Sequence, residues 1–75
     1  MMAEEMVRFE LGFRSGGSTG GTIGEAEWAK LESALRASSA STLELNGQDQ
    51  RWFVRVDEIA YARRHESPRR LGFGG

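Results

Sequence analysis

Only one stretch of this chain, from about Gly24 to Ala37, repeats its apolar residues at the spacing of a helix. Trp28, Leu31, Ala34 and Leu35 fall at i, i+3, i+6 and i+7 and share a face, while Glu25, Lys30, Glu32 and Arg36 lie largely elsewhere. Outside that stretch the apolar residues alternate. Val7, Phe9, Leu11 and Phe13 are interleaved with Arg8, Glu10, Gly12 and Arg14, the period of a half-buried strand. Leu43 and Leu45 alternate with Thr42 and Glu44; Trp52, Val54 and Val56 share a face from Arg51 onward. Asp57-Glu58 reads as a turn or bulge, Ile59 to Ala62 as a further short strand, and Leu71 and Phe73 as a short terminal one. His65-Glu66-Ser67-Pro68 interrupts, because proline lacks a donor and restricts Ser67. One helix among strands predicts an α+β fold: a single helix packed on a small, mainly antiparallel sheet, in the order β-α-β-β-β with a short terminal strand.

The chain has 75 residues and no cysteine. A domain of this size buries only about 60% of its unfolded surface, and no disulfide can compensate. Disulfide scaffolds, cysteine-ligated zinc and thiol catalysis are excluded. Ten glycines fall mostly in one segment and at the C-terminus. Residues 15–21 (Ser-Gly-Gly-Ser-Thr-Gly-Gly) are expected to form a loop. The domain is expected over residues 6–73, with 1–5 and 74–75 as flexible ends. Thr22 and Glu25 have the spacing of a capping box at the helix start. Asn46-Gly47 signals a hairpin. A two-residue turn there would set Leu45 against Gln48, whereas a four-residue loop, Gly47 to Gln50, sets Leu45 opposite Trp52 and Leu43 opposite Val54. The hydrophobic pattern selects the longer loop.

Net charge is −1, divided as −3 over residues 1–34 (three basic, six acidic) and +2 over residues 35–75 (seven basic, five acidic). Local basic patches are expected in the second half, but no dominant basic face. No apolar run approaches the ~20 residues of a membrane span. The acidic N-terminus lacks the pattern of a signal peptide, so a cytoplasmic location is expected.

Candidate chemistry is sparse. The one histidine, His65, has no recognisable Ser-His-acid arrangement around it and reads as solvated near a turn. A single histidine also disfavours a transition-metal site. Gly16 and Gly21 have P-loop spacing, but Thr22-Ile23 stand where lysine and a hydroxyl residue should follow. What survives is the general capacity of free helix N-terminal amides to meet an anion. No catalytic residue, cofactor or metal is assigned.

Arg51, Phe53 and Arg55 lie on the strand face opposite Trp52, Val54 and Val56, which leaves Phe53 outside between two arginines. Such a row could stack a base. The size of the chain favours a second covered face instead, formed by the terminal strand or by another subunit, which would supply core that a small chain lacks. Arg63, Arg64, Arg69 and Arg70 make the C-terminal region basic, with phosphate or an acidic partner as its sharper use. The terminal Gly74-Gly75 matches the unbranched tail of ubiquitin-like modifiers and sulfur carriers.

The stretch Leu43-Glu44-Leu45 through Arg51-Trp52-Phe53-Val54-Arg55-Val56, then Ile59-Ala60-Tyr61, then Arg69-Arg70-Leu71-Gly72-Phe73-Gly74, resembles an actinobacterial family of small proteins described only as a domain of unknown function. Its members have a helix followed by a hairpin, an Ile-Ala-Tyr segment and an Arg-hydrophobic-Gly-Phe-Gly end. The resemblance covers the C-terminal half. It departs in the N-terminal half, where the family has a second strand and this chain has its glycine-rich segment. It implies a fold and a bacterial host, and no activity.

These readings converge on a non-enzymatic, self-associating binding module, a homo-oligomer with Phe53, Tyr61, Leu71 and Phe73 as interface candidates. The alternatives are a ubiquitin-like or sulfur-carrier protein acting through Gly75, and a binder of anions, nucleotides or nucleic acid through Arg51, Arg55, Arg63, Arg64, Arg69 and Arg70.

Overall fold

A computed structural model describes residues 5–38 and 41–65. Its elements are β1 (Met6–Phe13), β2 (Ser18–Gly24), α1 (Glu25–Arg36), β3 (Thr42–Asn46), β4 (Arg51–Arg55), one 3-10 turn (Val56–Glu58) and β5 (Ile59–His65). The α+β class is as expected, with the order β-β-α-β-β-β. The described strands form two antiparallel groups, a three-stranded sheet β2-β1-β5 and the hairpin β3-β4, joined by a bridge between Ile23 and Gly47. The helix packs on β1, β2 and β3.

The extra strand corrects the reading of residues 15–21 as a loop. Only Arg14 to Gly17 make the turn, closed by Phe13 N–H to the Gly17 carbonyl (3.1 Å) and Gly16 N–H to the Phe13 carbonyl (2.9 Å). Gly16 and Gly17 have φ of 105° and 83°, a region that side chains resist. From Ser18 the chain runs back along β1, with Thr19 opposite Leu11, Gly21 opposite Phe9 and Ile23 opposite Val7. Glycine is a poor strand former, and local composition therefore argues for a loop. Packing decides otherwise. The Trp52 indole lies where a side chain on residue 21 would project: a Cβ there would sit 2.8 Å from the ring. A Cβ on Gly47 would sit 2.7 Å from the same ring and 2.8 Å from the Thr22 carbonyl oxygen. Trp52 is thus seated between two glycines and meets Phe9 edge-on, with ring centroids 5.2 Å apart.

Because Thr22 belongs to β2 opposite Arg8, it does not cap the helix. Gly24 is the N-cap and makes no side-chain cap bond. The helix start is held instead by Glu25 N–H to the Glu5 carbonyl (3.0 Å) and by acidic residues in the first turn, which suit its positive end. Glu25 also takes a two-pronged contact from Arg64, at 2.6 and 3.2 Å. The helix ends at Arg36 with Ala37 as its C-cap, and the chain turns away at Ser38, whose φ is 54°.

The hairpin has the expected register, Leu43 opposite Val54 and Leu45 opposite Trp52. Gly47 N–H donates to the Gln50 carbonyl at 2.7 Å and continues that register into the turn. The Asp57-Glu58 turn is also present, as part of the 3-10 segment. β5 is longer than expected and includes His65, because β1 backs it: Arg8 lies opposite His65. The terminal strand proposed at Leu71 and Phe73, and the Gly74-Gly75 tail, lie outside the described residues.

Phe9, Leu11, Ile23, Leu31, Leu45, Val54 and Ile59 pack together at the centre of the core, to which buried Val7 and Val56 also belong, with Trp28, Leu35, Leu43 and Trp52 among its partly buried surround. Ile23 is fully buried despite its glycine-rich setting. One ionic latch ties helix to hairpin. The Glu27 carboxylate accepts the Asn46 N–H (3.0 Å) and pairs with Lys30 (3.0 Å). Burial alone would raise its pKa, but the Asn46 hydrogen bond together with the Lys30 bond and charge lowers it.

Gly21→Val should therefore lower the urea midpoint, by about 1–3 kcal/mol of stability, through collision with Trp52. Adding Trp52→Leu should cost less in that background than in the native one, a non-additive double-mutant cycle. The lowered Glu27 pKa means its contribution is complete above the ordinary carboxylate value and is lost as pH falls through the lower folded value. Urea titrations at descending pH should show native protein losing its advantage over Glu27→Gln across that window; parallel pH profiles would dismiss the latch.

Candidate functional site

Strand alternation sends Leu43, Leu45, Trp52 and Val54 toward the core, and therefore Thr42, Glu44, Asn46, Arg51, Phe53 and Arg55 outward. Phe53 is 66% exposed, the most exposed large apolar residue described. Glu44 lies opposite it on β3. The flanking arginines are already engaged: Arg51 Nε is 3.5 Å from a Glu44 carboxylate oxygen, and an Arg55 guanidinium nitrogen is 3.4 Å from an Asp57 oxygen. Two cations and two carboxylates thus balance around one exposed ring.

The backbone adds a second property. Gly47 N–H bonds to the Gln50 carbonyl and Val56 N–H to the Ser41 carbonyl (3.0 Å). In an antiparallel ladder, residues alternate between bonding to the partner strand and pointing away from it. Those two anchors direct the backbone groups of Trp52 and Val54 to β3, and those of Arg51, Phe53 and Arg55 to the opposite edge. Among the described residues no strand pairs with that edge. An exposed phenyl ring and an unpaired row of backbone donors and acceptors therefore coincide on β4.

Tyr61, the other described interface candidate, is 49% exposed on the outer face of the three-stranded sheet. Its ring lies across Gly12, where a Cβ would collide with it, and its hydroxyl approaches Glu10 at 3.4 Å. Arg63 also pairs with Glu10. Phe53 and Tyr61 belong to different sheets, joined among the described residues by the Ile23–Gly47 bridge. Of the six candidate ligand-binding arginines, Arg51, Arg55, Arg63 and Arg64 are each paired with a carboxylate. Arg69 and Arg70, with Leu71 and Phe73, lie outside the described residues.

His65 is exposed at the end of β5. Among the described residues no three His, Asp or Glu side chains gather as a metal site requires. A feature that the pattern of residues does not announce is a groove of about 190 Å³ beside the Ile23–Gly47 bridge. Gly20, Gly21 and Thr22 line it from β2, and Gln48, Asp49 and Gln50 from the hairpin turn, with Trp52 also in its wall. The Asn46-Gly47 turn signal marks one wall, but nothing local brings β2 to the other.

No helix among the described residues is long and apolar enough to cross a membrane. Comparison with protein-family models, with curated proteins and with solved structures finds no match to this chain.

Proposed function

We propose that this protein is a small non-enzymatic module that works by binding, and that its first partner is a second copy of itself, engaged through β4. The observation that carries this reading is Phe53, largely exposed on a hairpin strand whose outer edge has no partner strand among the described residues. Unpaired edges that also present apolar side chains favour strand addition. Chain size argues the same way, since nine buried apolar residues are a small core among those described.

Charge selects the register. A two-fold pairing of β4 strands centred on Phe53 would oppose Arg51 to Arg55 of the second copy, and like charges directly opposite are destabilising. Centring the pair on Trp52 sets each Phe53 against Arg51 of the second copy. That converts the repulsion into two cation–π contacts. The alternative of an anion or nucleic-acid platform is less well supported, because four of its six arginines are paired with carboxylates. A bacterial, cytoplasmic setting belongs to the same proposal, on the cysteine-free composition and the family resemblance.

Light scattering of the purified chain across roughly micromolar to millimolar concentration should report a dimer or larger assembly. Phe53→Glu should yield a monomer with an unchanged circular dichroism spectrum. A strict monomer at the highest concentration would overturn the proposal.

A further inference from the structure

The groove between β2 and the hairpin turn has a makeup that the self-association reading does not use. We propose that it binds a single neutral pyranose ring, a monosaccharide or the terminal sugar of a glycan.

Size sets the first limit. At about 190 Å³ the groove lies below the ~300–1,000 Å³ of sites for drug-sized ligands and suits one ring. Charge sets the second. Its lining residues include one carboxylate, Asp49, and no lysine, arginine or histidine, and the neighbouring Arg51 is paired with Glu44, so a phosphate or carboxylate ligand would meet Asp49 with no cation in the groove itself. Hydrogen bonding sets the third. The Gln48 and Gln50 amides both donate and accept, Asp49 accepts, and the wall from Gly20 to Thr22 offers backbone groups. These groups stand on two walls. A ring with hydroxyls around its perimeter can use both walls at once, whereas a nucleobase presents its polar atoms in one plane along one or two edges.

Trp52 supplies the apolar component. An indole offers a flat, polarisable surface of negative charge density, and the axial C–H groups of a pyranose carry the complementary partial charge. The indole is held by Gly21, Gly47 and Phe9, so it is ordered before a ligand arrives. Such preorganisation removes one cost of binding. The glycines contribute directly as well. A Cβ on Gly20 would run into the Phe9 carbonyl, and one on Gly21 into Trp52, so this wall of the groove presents bare backbone.

The test is a titration of the uniformly 15N-labelled full chain with glucose, galactose, mannose and N-acetylglucosamine, followed by amide and indole N–H shifts. At least one sugar should produce saturable shifts at Gly20 to Thr22, Gln48 to Gln50 and the Trp52 indole, with Kd of order 1–10 mM, and leave the Trp28 indole unmoved. Asp49→Ala and Gln50→Ala change exposed turn residues and should weaken the affinity at least tenfold without altering the rest of the spectrum. Phe53→Glu should bind at least as well as the native chain, because β4 pairing brings the second copy beside the Asp49-Gln50 turn, so failure of the self-association reading would leave this one intact. The proposal is overturned if no sugar shifts these residues at about 50 mM, if adenosine or cytidine shifts them and the sugars do not, or if Asp49→Ala and Gln50→Ala bind undiminished.

Discussion

The seating of Trp52 is the contact on which the rest of this structure depends. Its indole occupies the space that side chains on Gly21 and Gly47 would need, and it meets the edge of Phe9 on β1. One ring thereby touches the central strand of the three-stranded sheet, the glycine-rich strand beside it and the hairpin turn. The backbone bridge between the two sheets, Ile23 with Gly47, lies next to this ring. Without the indole, β2 would have a poor backbone propensity and little side-chain surface to hold it. With it, the missing side chains become the shape of a receptor. Tyr61 repeats the device on the outer face, where its ring covers Gly12.

That arrangement also determines the surface. Once Trp52 and Val54 turn inward, alternation leaves Phe53 outside, and the hairpin bonds direct its backbone groups to the open edge. Glu27 fixes the hairpin against the helix by accepting the Asn46 N–H, one residue from the bridge. Arg64 does a similar service at the other end of the molecule's chain, tying β5 to the first helical turn through Glu25. The polar groove is a consequence of the same geometry: the walls meet at the bridge and separate beyond it. Core, edge and groove are three results of one packing decision.

Much of this was readable from residue pattern, and the divisions are instructive. The hairpin register followed from matching Leu43 and Leu45 to Val54 and Trp52, because a slip of one residue would move every apolar side chain to the solvent face. The exposure of Phe53 followed from the same alternation. The helix was readable from Trp28, Leu31 and Leu35, with bounds a residue or so wider than observed. Two features were misread for one reason. The 15–21 loop and the Thr22 capping box both treat glycine-rich sequence by its local preference. Those preferences are worth about 1 kcal/mol per residue, and burial of Ile23 and Trp52 is larger. The arginines at positions 51, 55, 63 and 64 could be seen as a basic set, but their carboxylate partners are distant in sequence or on another strand in all but one case.

By itself, then, the amino-acid order determined the α+β class, the single amphipathic helix, the hairpin with its register and the outward Phe53. All of these rest on periodicity, which is a property of neighbouring residues. Tertiary structure alone decided that the glycine segment is a strand, that β5 pairs with β1 rather than with β4, that the strands divide into two sheets, and that the arginines are paired. Each of those outcomes depends on which distant side chain fills a space or neutralises a charge. A glycine carries no record of the ring that will cover it.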